Sequence, residues 1–173
     1  ADITERKIAE ERLKRSEEKF VKAFKTNSDS ININRLSDGV YIEINNGFTE
    51  IMGYTPEEAI GRSSLPGDLN IWVNKEDRDR LVAGLRANGE VVGLEAQFRR
   101  KDGRILIGLM SAKIIEINGE DCILSTTRDI TDRKKMEDAL HEERNFITGI
   151  METSPVGITT VDATGKITFA NPR

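Results

Sequence analysis

Apolar residues recur along this chain in two different periods, and the switch between them divides it. Over residues 4–24, Ala9, Leu13, Ser16, Phe20 and Ala23 fall at alternating spacings of four and three, the seam of a coiled coil. Ala9 and Ser16 make poor knobs. The pairs Glu10 with Lys14, Glu11 with Arg15 and Glu18 with Lys22 sit one helical turn apart and favour the helix itself. The pattern therefore predicts a helix with two possible uses: one strand of a coiled-coil dimer, or a solvated helix lying on its own domain. Asp2 or Thr4 can cap its N-terminus, with Glu5 favourable in the first turn.

From Ile31 the period changes to two. Ser30-Ile31-Asn32-Ile33-Asn34 alternates as a short strand, Ser37-Asp38-Gly39 is a turn, and Val40, Ile42 and Ile44 alternate along a second strand, which makes a hairpin. Asn45-Asn46-Gly47 stops it. Phe48, Ile51 and Met52 share one side of a short helix ending at Gly53. Thr55-Pro56-Glu57-Glu58 starts another, with a capping residue, proline at the first position and acids near the positive end; Gly61 ends it. Residues 62–73 carry glycine and proline breaks around Leu69, Ile71 and Trp72 and predict a connecting loop. Asn74 then caps an amphipathic helix over 75–87, with Leu81, Val82 and Leu85 on one side and Asn88-Gly89 as its stop.

Three strands follow. The first, over 91–100, puts Leu94, Ala96 and Phe98 on one face and Glu95, Gln97 and Arg99 on the other. Lys101-Asp102-Gly103 turns the chain, and the strands over 105–117 and 121–129 are joined by Asn118-Gly119, a strong hairpin signal. Ile107 and Leu109 alternate with Leu106, Met110 and Ile114, so the middle strand is apolar on both faces and is expected to be covered on both. The short helices supply one cover; the N-terminal helix or a partner supplies the other. Two strands, small helices, a longer helix and three strands make an α+β unit with an antiparallel sheet.

Composition narrows the function classes. Of 173 residues, 37% are hydrophobic and 32% charged, as expected for a globular domain with a charge-rich extension. The net charge of −4 gives no electrostatic case for nucleic acid. Cys122 is the only cysteine, which excludes an internal disulfide and a multi-cysteine metal site and fits a reducing, cytoplasmic setting. The longest apolar run, Ile105 to Ala112, is too short to span a bilayer, so no membrane contact is expected of this segment.

A repeat organises the whole. Asp129-Ile130-Thr131-Asp132-Arg133-Lys134 restates Asp2-Ile3-Thr4-Glu5-Arg6-Lys7, 127 positions earlier. Past the helix Phe20 matches Phe146, Asn27-Ser28 matches Thr153-Ser154, Gly39 matches Gly165 and Asn45 matches Asn171, now at an offset of 126. The change of offset predicts a one-residue length difference inside the helices, between Leu13 and Phe20 in one and Leu140 and Phe146 in the other. One residue turns a helix face by roughly a hundred degrees. The chain therefore reads as a piece of a longer protein: residues 1–24 a linker helix following an earlier closing motif, 25–131 a complete unit, 132–152 an exit helix, and 153–173 the opening of a second unit.

The complete unit resembles the PAS domain, a sensory module of bacterial and archaeal signalling proteins. Residues 44–58, Ile44-Asn45-Asn46-Gly47-Phe48 through Gly53-Tyr54-Thr55-Pro56-Glu57-Glu58, are similar to the family's strand-to-helix passage. Asn74-Lys75-Glu76-Asp77-Arg78 resembles its "hPEDR" helix start, with Lys75 where proline is commoner. Arg99-Arg100-Lys101-Asp102-Gly103 resembles its turn after the third strand, and Asp129-Ile130-Thr131 its closing DIT motif. Residues 146–173 are similar to the opening of a second such domain, with Thr168-Phe169-Ala170-Asn171-Pro172 as its second strand. The resemblance implies a five-stranded antiparallel sheet curved around a pocket, with short helices on one face and linker helices carrying conformational change to an output domain. Tandem domains of this kind are typical of multi-sensor histidine kinases and diguanylate cyclases. A cytoplasmic module is implied, free or as the cytoplasmic part of a membrane-anchored sensor.

No residue set points to catalysis in the fragment itself. His141-Glu142 on a helix is similar to the phosphoacceptor motif of histidine kinases, but Arg144 and Asn145 are followed by Phe146 rather than proline, and a surface helix residue is the expected reading. The domain proper contains no histidine, which disfavours haem held by an internal histidine. Cys122 stands outside the Asn-Cys-Arg context of photoactive flavin domains and reads as a buried structural thiol. Trp72 either stacks on a ligand or fills the core. Met52, Leu85, Phe98 and Leu109 are candidate pocket walls, and Asn70, Ser111 and Thr126 candidate polar selectors. Asp129, Ile130 and Thr131 form the signal junction; Ala9, Leu13, Phe20, Met136 and Leu140 form the seam of a homodimer paired through its linker helices. The expected function is a non-enzymatic sensor that binds a small ligand or a partner. A ligand-free dimerisation spacer and a small α+β enzyme stand as alternatives.

Overall fold

The computed structural model describes residues 3–171, so the candidate cap Asp2 and the strand residue Pro172 lie outside the described residues. The chain divides into two compact units, one up to Thr131 and one from Asp132.

The first unit opens with helix α1 (Ile3–Thr26), then a hairpin of β1 (Ser30–Arg35) and β2 (Tyr41–Ile44). Short helices α2 (Asn46–Met52) and α3 (Pro56–Ala59) lead through an irregular segment to α4 (Lys75–Asn88). Strands β3 (Glu90–Arg99), β4 (Ile105–Ile117) and β5 (Glu120–Asp129) complete it. All pairings are antiparallel, in the order β2-β1-β5-β4-β3, because β5 runs beside β1 from Ser30 opposite Thr127 to Arg35 opposite Cys122. The α+β class and the five-stranded sheet are as the sequence pattern and the resemblance imply.

Local chemistry sets the boundaries. Thr55 and Glu58 form a reciprocal capping box around Pro56. Gly53 and Gly89 close α2 and α4 in the left-handed conformation, where a Cβ is disfavoured. Asn118 and Gly119 both have positive φ, as a two-residue hairpin between right-twisted strands requires. α3 ends two residues earlier than its glycine suggests, with Ile60 already extended.

The core lies on one face of the sheet, under α2, α3 and α4, with Ile44, Phe48, Ile71 and Leu85 almost wholly buried. Burying side chains of this size contributes roughly 1.5–3 kcal/mol each. The other face is less covered. Ile107, Leu109 and Ile115 of β4 are half-buried, and the C-terminal half of α1 (Phe20, Val21, Phe24) borders an apolar groove against Ile33, Ile115 and Leu124. No residue of α1 is buried.

Helix α5 (Thr131–Thr153), none of whose residues is buried, belongs to the second unit from Asp132 on, with a hairpin of β6 (Thr159–Val161) and β7 (Ile167–Ala170). The repeat is visible here as chemistry. Asn45 accepts from the Ile31 N–H (2.8 Å), while its own N–H donates to the Ile31 carbonyl; Asn171 does the same with Ile158 (2.6 Å to its Oδ1). The bonded pair is 14 residues apart in the first unit and 13 in the second, so a one-residue difference lies in the hairpin as well as in the helices.

Candidate functional site

The site is built where α4 and the irregular segment cover the middle of the sheet. Trp72 packs against Phe98 of β3 with ring centroids 4.9 Å apart and is 7% exposed. Behind it the sheet presents a polar stripe. Ser30 and Asn32 of β1 and Ser125 and Thr127 of β5 are all buried on the inner face, with half-buried Asn34 beside them. Asn32 donates to Asn34 at 3.2 Å, while the hydroxyls of Ser30 and Ser125 have no hydrogen-bond partner among the described residues. Tyr41 closes one side, its phenol pushed well up by burial, with Tyr54 adding to the rise and a hydrogen bond with Ser64 opposing it.

The space enclosed by these groups is about 30 Å³. That is the share of one water molecule and far below the roughly 300 Å³ at which small-molecule pockets begin. Trp72, Phe98, Phe48 and Met52 thus fill most of the volume that the curved sheet would otherwise enclose. On the other side of Trp72 the structure opens. A cleft of about 330 Å³ lies between the irregular segment, the first turn of α4 and β3, and Trp72 and Arg78 line both spaces. Arg78 is half-buried, and burial pulls its guanidinium below the ordinary value, an effect that Asp79 opposes and Arg86 reinforces.

The predicted pocket residues separate into four groups. Met52, Trp72 and Phe98 line the inner cavity. Leu85 is fully buried in the core but does not reach the cavity, and Asn70, at φ 50°, lines the outer cleft while its carbonyl accepts from Arg99 at 2.9 Å. Leu109, Ser111 and Thr126 lie on the opposite face of the sheet, which corrects their assignment as pocket residues. Ser111 pairs with Thr126 and Leu109 with Arg128, whereas Met110–Thr127 and Ala112–Ser125 face inward. Since side chains alternate along a strand, an error of one position moves a whole set to the other face. The cavity residues that the sequence did not single out are Asn32, Asn34, Arg78, Ser125 and Thr127. Their signal was the polar member of each alternating pair in β1, where Ile31 and Ile33 draw the eye but only Ser30 and Asn32 are buried.

The junction between β5 and α5 is tightly specified. Ile130, 5% exposed, is the single residue between them, and its N–H donates to the Ile107 carbonyl of β4 at 2.9 Å. Asp129 Oδ1 accepts from both the N–H (2.9 Å) and the hydroxyl (2.5 Å) of Thr131, and the Thr131 hydroxyl accepts from the Ile107 N–H at 2.9 Å. Asp129 thereby satisfies the first N–H of α5. Thr131 instead stitches the helix start to the middle strand. Of the seam residues, Ala9, Leu13 and Phe20 on α1 and Met136 and Leu140 on α5 are all exposed. His141 is exposed on α5, and the buried Cys122 thiol is pushed up by desolvation and by Glu120 and Asp121.

The sequence profile described as "PAS domain" matches residues 28–132, well over half of the chain. The chain belongs to the PAS family. A second PAS profile matches residues 145–173, the opening of the second unit. The chain is 31% identical over 133 residues to a methyl sulfide methyltransferase-associated sensor of Methanosarcina acetivorans, an alignment covering 75% of this chain and 13% of that protein. Among solved structures it resembles the PAS domain of an HTR-like protein from Haloarcula marismortui (TM-score 0.56, 25% identity, 72% of this chain and 99% of that one). It also resembles a PAS domain from Colwellia psychrerythraea (TM-score 0.57, 26% identity, 66% and 97%). No helix among the described residues is long and apolar enough to cross a membrane.

Proposed function

We propose that this chain is a sensory PAS unit of a larger signalling protein, such as a histidine kinase or diguanylate cyclase, which passes a change in its core to α5 through the β5–α5 junction. The observation that carries this reading is the set of bonds from Ile130 and Thr131 to Ile107. With one residue between strand and helix, and both the strand's end and the helix's start bonded to β4, a shift of β4 against β5 displaces the first turn of α5. The sensor named among the relatives supports it. The exposed apolar residues Leu13, Phe20, Met136 and Leu140 suit a homodimer paired through its linker helices.

A second reading, a dimerisation spacer that senses nothing, is favoured by the small inner cavity of about 30 Å³. Native mass spectrometry of the chain beside a denatured control separates the two. The sensor reading predicts a dimer with extra mass that disappears on denaturation. A bare dimer supports the spacer, and a bare monomer removes the helix-pairing argument.

A further inference from the structure

We propose that the ligand site of this unit is the cleft outside Trp72, and that it takes a small organic anion, a carboxylate or phosphate carried on an apolar body. The inference rests on the sensor reading and gives it a place and a chemistry. The cleft is about 330 Å³, within the size range of small-molecule sites, against about 30 Å³ for the space inside the sheet. Lys75, Arg78 and Arg99 bring three positive charges to its wall and Asp79 one negative, although the chain as a whole carries −4.

These cations are not committed elsewhere. Arg78 and Lys75 make no ion pair or hydrogen bond among the described residues. Arg99 uses one arm on the Asn70 carbonyl. Of the neighbouring acids, Asp77 is turned to Arg80 (2.6 Å) and Asp68 to Arg62 and the Ser63 N–H, which leaves Asp79 as the acid acting on Arg78. Asp79 offsets only part of the cost of half-burying the Arg78 guanidinium, and an oxyanion that accepts two of its N–H groups offsets more of it. The first turn of α4, which carries Lys75 and Arg78, adds its positive end. Leu65, Pro66 and Trp72 supply the apolar wall for the rest of the molecule. Because Trp72 and Arg78 also line the inner cavity, an occupant of the cleft acts on the residues that lie over the polar stripe.

Trp72 is the only tryptophan, so its fluorescence reports the cleft directly. The full 173-residue chain is titrated with benzoate, phenyl phosphate and uncharged benzyl alcohol. At least one of the two anions is expected to give a saturable change, and which of them binds tells carboxylate from phosphate. Arg78→Gln weakens that binding by about tenfold or more, the scale of a lost charge-assisted hydrogen bond. Lys75→Gln, at an exposed position, weakens it less, and serves if Arg78→Gln fails to keep the wild-type melting profile. Equal binding of benzyl alcohol, wild-type affinity in both folded variants, or no saturable response to either anion into the millimolar range would overturn the site. None of those outcomes touches the β5–α5 junction, whose failure is read separately from regulated output.

Discussion

Replacing Asn45 by alanine is expected to destabilise the first unit by about 3–5 kcal/mol, because it orphans a set of buried backbone groups at once. Asn45 is 1% exposed. Its Oδ1 accepts from the N–H groups of Ile31 and Phe48, both at 2.8 Å, and its Nδ2 lies 2.9–3.1 Å from the carbonyls of Phe24, Asn27 and Asp29. One side chain therefore caps α2, fixes the start of β1 and holds the last turn of α1. Thermal unfolding should show a midpoint lower by on the order of 10 °C. Asn45→Asp makes the mechanism distinguishable. A role as helix cap alone would tolerate aspartate, whereas a clasp on three carbonyls does not, since a carboxylate cannot donate to them. Stability of Asn45→Asp equal to wild type would reduce the residue to a cap.

Gly47→Ala is expected to be of similar severity for a different reason. A Cβ at that position would stand 2.2 Å from the Asp29 carbonyl oxygen and 2.7 Å from that of Asn27. Both are backbone atoms, held in place by Asn45, so neither can swing away as a flexible side chain would. Relief requires α2 to move off the segment between α1 and β1, a displacement that costs about 3 kcal/mol or more. A urea midpoint within error of wild type would show that α2 approaches that segment less closely than described. Gly61 offers the control. It has nothing within 4 Å of a built Cβ, so its substitution is strained by its φ of +83° alone.

The asymmetry between what the sequence discloses and what it hides follows from the physics of each element. Helices α2, α3 and α4 were legible because their ends carry chemistry that only helix termini need, such as Thr55-Pro56 with Glu58 or Gly89 after Asn88. The Asn118-Gly119 hairpin was legible because few residues adopt positive φ twice in succession. The repeat was legible at Asn45 and Asn171 because the same clasp is built twice. Strand phase was not legible on β4 and β5. Both faces of β4 carry apolar residues, so periodicity alone cannot say that Met110 looks inward and Leu109 outward.

The candidate site suffered from an inverted expectation. In β1 the hydrophobic alternation Ile31, Ile33 is the outer, half-covered set, and the polar set Ser30, Asn32 is the buried one. Buried polar side chains normally find partners, and among the described residues the hydroxyls of Ser30 and Ser125 depart from that rule on the inner face of the sheet. Arg78 was visible in the sequence only as part of a family motif. Its position over both spaces depends on how α4 is laid across the sheet, which no local pattern encodes.

Transmission at the β5–α5 junction is tested most directly by Asp129→Ala in the larger signalling protein proposed above, with output measured in its signalled and unsignalled states. Asp129 is exposed and bonds only to Thr131 within the junction, so the variant should keep the fold and lose the register of the first helical turn. The expected result is an output that no longer differs between the two states, with Asp129→Asn, which retains the acceptor oxygen, recovering part of the difference. Output regulated as fully in Asp129→Ala as in the wild type would contradict the claim that the signal leaves the domain through this junction.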